Sequence, residues 1–101
     1  MALDELFEAN EDEFLKFERI ESPAHPAPDL CAFLMLHALA PKKNRGNDNV
    51  SNMVVAAEHD EIYLATDTDE LAKVATLENI RDLVRCVVRY DRDSDSLCMF
   101  V

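Results

Sequence analysis

A single glycine, Gly46, occurs in 101 residues. Loops that cradle phosphates need glycines so that the backbone can approach the ligand, so P-loop and dinucleotide-binding sites are excluded. Bases are scarce as well: ten Lys and Arg stand against 21 Asp and Glu, a net of −11. Nucleic acid and anionic membrane surfaces repel such a chain, so neither is expected as a direct partner. Three cysteines, Cys31, Cys86 and Cys98, make an odd set without metal-type spacing. They read as reduced, half-buried thiols in a cytoplasmic protein. The longest apolar run, Leu30–Leu36, falls well short of the roughly 20 residues that span a bilayer. No basic segment followed by an apolar run opens the chain, so no secretory signal is expected.

The acids are gathered at the two ends. Residues 1–22 carry eight of them against Lys16 and Arg19, a net of −6, and residues 58–101 carry eleven against five bases, again −6. Residues 23–57 hold Asp29 and Asp48 against Lys42, Lys43 and Arg45, a net of +1. With 49% hydrophobic residues the composition is that of a folded body decorated with acid, not of a disordered tail. The length suits one domain over residues 1–101 with a single modest core.

Leu3, Leu6, Phe7, Phe14, Phe17 and Ile20 recur at steps of three and four, which predicts an amphipathic helix over residues 3–20 with a polar gap at Asn10 and Glu11. Asp4 and Glu5 suit the positive end of its dipole. Ser22–Pro28 is proline-rich and reads as a stiff connector. Asp29 is placed to cap a second helix, which runs to about Ala40 and is stopped by Pro41. Its residues are apolar nearly all round, which predicts the buried centre of the domain, with His37 as a hydrogen-bonded core residue. Lys42–Asn52 reads as a loop and is the one basic stretch.

Met53–Ala57 is a strand or a helical turn, and Ile62–Ala65 a strand. Asp67 and Glu70 have capping-box spacing for a short helix to about Ala75, and Thr76 can cap another over Leu77–Arg85. Leu77, Ile80, Leu83 and Val84 form the inner face of that last helix. Cys86–Tyr90 and Leu97–Val101 make a hairpin across Asp91–Ser96. The sum is α+β: an N-terminal amphipathic helix and a buried central helix packed with short helices on a small antiparallel sheet ending in a C-terminal hairpin.

Three groups invite chemistry. Asp91, Asp93 and Asp95 alternate as calcium loops begin, but Ser96 stands where such a loop needs glycine, and no twelfth-position Glu follows; a hairpin turn is the better reading. His59, among Glu58, Asp60 and Glu61, has no partner at ligand spacing and reads as a solvated turn. Cys86 lies beside Arg85 and near Arg89, cations that could lower a thiol's pKa. An enzyme built on Cys86 or on the Asp91–Asp95 turn is the weakest reading, because no nucleophile, base and orienting group can be assembled. No metal or cofactor is expected.

The stretches Leu3-Asp4-Glu5-Leu6-Phe7-Glu8-Ala9-Asn10-Glu11-Asp12-Glu13-Phe14 and Arg89-Tyr90-Asp91-Arg92-Asp93-Ser94-Asp95-Ser96-Leu97 resemble small uncharacterised acidic proteins of tailed bacteriophages. Acidic phage proteins often inhibit host defence nucleases or other nucleic-acid-binding machinery, some as DNA mimics. The resemblance therefore implies a non-enzymatic protein-interaction module that inhibits a basic, nucleic-acid-binding host protein. Carboxylates along a rigid helix can imitate phosphate rows, which singles out Asp4, Glu8, Glu11, Asp12 and Glu18 as partner-binding residues. The competing expectation is a structural or assembly subunit, a homo-oligomer joined through helix one with Phe7, Phe14 and Phe17 at the interface.

Overall fold

The computed structural model describes residues 2–41, 52–58 and 60–100. His59 and the basic loop expected at Lys42–Asn52, Asn52 excepted, lie outside them. The architecture is α+β, with four α-helices and one four-stranded antiparallel sheet among the described residues.

Helix α1 covers Leu3–Ala9 and buries Leu3, Leu6 and Phe7, one turn apart on one side. Glu5 reaches back to accept the Ala2 backbone N–H at 3.0 Å, satisfying one of the orphan donors of the first turn. The helix stops where the apolar stripe lapses. Asn10 folds its side-chain amide onto the Leu6 carbonyl at 2.9 Å, and its backbone N–H bonds the Phe7 carbonyl at 3.2 Å. Asn competes for backbone groups in this way, which makes it a helix end more readily than a helix interior. The continuous helix expected over residues 3–20 is therefore corrected: beyond Asn10 run two 3₁₀ turns, Glu11–Glu13 and Phe17–Arg19, with Leu15 between them at φ 67° and well exposed. Phe14, Phe17 and Ile20 nonetheless pack on the core as half-buried side chains, and Phe7 lies fully within it.

Helix α2 spans Pro28–Leu39. Ala27 is its N-cap and Pro28 occupies the first helical position, where a missing N–H costs nothing. Asp29 is thus not the cap; it lies in the first turn and accepts the Leu30 N–H. The helix buries Cys31, Ala32 and Leu36 but leaves Leu30 at 43% and Leu34 at 49% exposure, with His37 exposed too. The expectation of a helix buried all round, with His37 in the core, is corrected to one buried on a single side.

Strands β1 (Val54–Glu58) and β2 (Glu61–Leu64) form one hairpin, and β3 (Val88–Asp91) and β4 (Ser96–Phe100) the other. The sheet order is β1-β2-β4-β3, so β1 and β3 are its edges. Between the hairpins come α3 (Thr68–Val74) and α4 (Leu77–Arg85). Their caps are those read from the sequence: the Asp67 carboxylate accepts the Glu70 N–H at 3.0 Å, and the Thr76 hydroxyl accepts the Asn79 N–H at 3.1 Å. Ile80, Leu83 and Val84 face inward from α4, while Leu77 is 53% exposed. Leu36, Leu71, Ile80, Leu83, Val88 and Leu97 close the core between the helices and one sheet face. No helix among the described residues is long and apolar enough to cross a membrane.

Glycine scarcity leaves its mark on the backbone. Leu15, Ser22, Val87 and Asp95 all take positive φ. Val87, at φ 72°, follows the Cys86 C-cap of α4 and donates its N–H to Val84. That position ordinarily takes glycine, and a β-branched side chain is disfavoured there. Val87→Gly should raise stability by about 1 kcal/mol, the left-handed penalty less glycine's extra chain entropy. Thermal unfolding would register this as a rise of roughly 4–6 °C.

Candidate acidic groove

The N-terminal acids and the sheet edge meet in an open groove of about 770 Å³. Helix α1 supplies Asp4, Phe7 and Glu8, spaced three and four apart and so on one side of the helix. Because the helix ends at Asn10, the 3₁₀ turn swings Glu11 and Asp12 onto the same rim, and Phe14 follows. The opposite wall is strand β3, through Val88, Arg89 and Tyr90, with Val84 of α4 below and Arg92 of the hairpin turn at one end. Phe7 and Tyr90 form an aromatic floor, their ring centroids 6.1 Å apart and their planes at 29°.

The charges in this groove are unequally satisfied. Arg92 pairs with Asp4 at 3.0 Å, and Arg89 pairs with Glu61 while lying 4.2 Å over the Phe100 ring. Glu8, Glu11 and Asp12 are exposed and make no ion pair among the described residues. Four of the five acids singled out from the sequence thus share one rim. Glu18 does not join them: it sits exposed in the second 3₁₀ turn, outside the groove lining.

What holds the rim in place is an ion pair that sequence reasoning missed. Arg85 of α4 donates to Glu13 at 3.0 Å, to Asp82 at 3.1 Å and to the Arg19 carbonyl at 3.3 Å. Arg19 adds a second cation to Glu13 at 3.4 Å. The hydrogen bond from Arg85 holds the Glu13 carboxyl below the usual range, against the opposing pull of its partial burial, and Glu13 in turn raises Arg85. Both 3₁₀ turns are thereby fastened to α4. The only local signal was the Asp82–Arg85 spacing of three on a helix; the partner that matters lies 72 residues away.

A second carboxylate hub stands at the far end. Asp95 accepts the Tyr90 hydroxyl at 2.6 Å and the Thr68 hydroxyl at 3.0 Å, tying the hairpin turn to α3. Asp91 accepts the Asp93 N–H and the Ser94 hydroxyl. The Asp91–Ser96 stretch is thus a hairpin turn held by its own side chains, as expected of Asp and Ser. The bond to Asp95, then burial, push Tyr90 up to about 12. A folded pKa above the unfolded value of 10.0 means that this contribution is full below pH 10 and is lost as pH rises towards 12. Tyrosinate absorbance should show Tyr90 ionising last in the folded protein, and Asp95→Ala should lower that pKa and remove the stability change across the same window.

Cys31, Cys86 and Cys98 are all buried and unbridged. Burial first, and then the neighbouring Cys31, push the Cys86 thiol upward, opposite to what a nucleophile needs. The Arg85 guanidinium that suggested activation is spent on Glu13 and Asp82. His25 accepts the Ala27 N–H at 3.0 Å within the connector. No protein-family model matches the chain, and no curated protein or solved structure shows significant similarity to it.

Proposed function

We propose that this protein is a non-enzymatic, cytoplasmic interaction module whose acidic groove captures a basic protein surface of the kind that binds nucleic acid, and so inhibits that protein. The observation carrying this reading is the set of three exposed carboxylates, Glu8, Glu11 and Asp12, without ion-pair partners among the described residues, Glu8 on α1 and the other two on a 3₁₀ turn that Arg85 fastens to α4 through Glu13. Acids that merely solubilise a surface need no such fixed support. Carboxylates held in place beside an aromatic floor offer a basic side chain both a counter-ion and a face for its aliphatic stem. Their sign repels phosphate, so the partner is a basic protein and not nucleic acid itself. The phage resemblance agrees with inhibition of a host protein.

The assembly alternative through Phe7, Phe14 and Phe17 has less behind it, since these rings pack on the protein's own core. The test is capture of the partner from the native host, followed by titration of the isolated pair. Affinity should fall at least tenfold between about 50 and 200 mM salt, and duplex DNA should compete for the partner. Affinity indifferent to both would overturn the reading.

A further inference from the structure

Strand β3 is an edge of the sheet, and the acidic groove runs along it. Val88, Arg89 and Tyr90 are consecutive, so their side chains alternate between the two sheet faces, yet all three line the same groove. Only the open edge of the strand borders both faces at once. No backbone hydrogen bond from these three residues reaches any described residue outside β4. Val88 is completely buried, so the part of this edge that opens to the groove is Arg89–Tyr90, with α1 packed against the same strand.

We propose that the occupant of this groove is an extended basic segment, added to β3 as a fifth strand, with Lys or Arg at every second position. The proposal rests on the reading of the groove as a site for a basic protein partner. A helix laid in the groove would leave the edge groups of β3 unmatched, whereas an extended chain satisfies them and delivers affinity through the main chain. Alternate side chains of such a strand point towards α1. There they meet Glu8, Glu11 and Asp12, and their stems cross the half-buried rings of Phe14 and Tyr90. The intervening residues fall on the opposite face beside Arg89, so a cation is disfavoured at those positions. The other sheet edge does not offer this pairing. Strand β1 presents Val54, Val55, Ala56 and Ala57, its register breaks between Val54 and Ala56, and the pocket that Val55 shares with Glu70 of α3 has no aromatic side chain in its lining.

The experiment uses the full chain, isotopically labelled, with two synthetic probes of equal charge: a short peptide of alternating lysine and threonine, and the same peptide N-methylated at every residue. The unmethylated peptide should shift the amide resonances of Val88–Arg92, and methylation should weaken binding by roughly tenfold or more through lost backbone hydrogen bonds. Equal binding of the two peptides overturns strand addition while leaving the acidic groove as a charge-driven site. Amide shifts confined to Val54–Glu58 overturn the assignment to β3. Failure of both peptides to bind at low salt overturns the strand proposal and the reading of the groove on which it rests.

Discussion

Leu36→Ala is expected to destabilise the protein by about 3 kcal/mol, and Leu34→Ala by about 1 kcal/mol or less. The two leucines lie two positions apart on α2, with equal helix propensity. Leu36 is completely buried, whereas Leu34 retains 49% of its exposure. Truncating a fully enclosed leucine forfeits its transfer free energy and leaves a cavity that close-packed neighbours fill only in part. At Leu34 about half of the transfer term is already unrealised and no enclosed cavity forms. A domain of this size is stable by only about 5–15 kcal/mol, so the first change removes a large share and should lower the midpoint by roughly 12–18 °C. Urea or thermal unfolding of both variants checks the asymmetry. Equal losses would mean that α2 is enclosed on every side, as its composition alone suggests.

That contrast shows where the sequence stops speaking. An all-apolar helix has no polar face to mark its outside, so its pattern cannot say which side is covered. In α4 the reverse holds: Ile80, Leu83 and Val84 alternate with charged residues, and the buried side is legible. Caps are legible too, because Asp67 and Thr76 act on backbone groups three residues ahead. The break after α1 was harder to see for a geometric reason. Phe14, Phe17 and Ile20 are spaced by threes, which fits an α-helix loosely and a 3₁₀ turn better. Asn10 was the available signal, standing where the stripe should have continued. Of the groove, one wall could be read locally, since Asp4, Glu8, Glu11 and Asp12 cluster in sequence. Its other wall, Val88 to Arg92, is set by strand order, and Glu13 differs from its acidic neighbours only through Arg85, far along the chain.

Glu8→Lys/Glu11→Lys should weaken partner capture by roughly two orders of magnitude, about 2.8 kcal/mol by the tenfold-per-1.4 conversion. Each substitution replaces an attraction to the basic partner with a like-charge repulsion, and the losses compound because both residues stand on one rim. The fold should survive. Both side chains are exposed and unpaired among the described residues, and neither belongs to the Arg85–Glu13 fastening. Each change adds two positive charges, so the net of −11 becomes −7 and self-repulsion falls. Glu18→Lys is the matching control: it makes one such change at an exposed acid outside the groove lining and should leave capture within about twofold, since a solvated charge that does not touch the partner is weakened by salt screening. The salt dependence should shrink in the double variant and persist in the control. If both variants lose affinity in proportion to charge alone, the partner senses the whole protein's field and the groove has no privileged role. Loss confined to the double variant locates recognition beside Phe14 and Tyr90, where a lysine or arginine stem has an aromatic surface to lie on and a carboxylate at its tip.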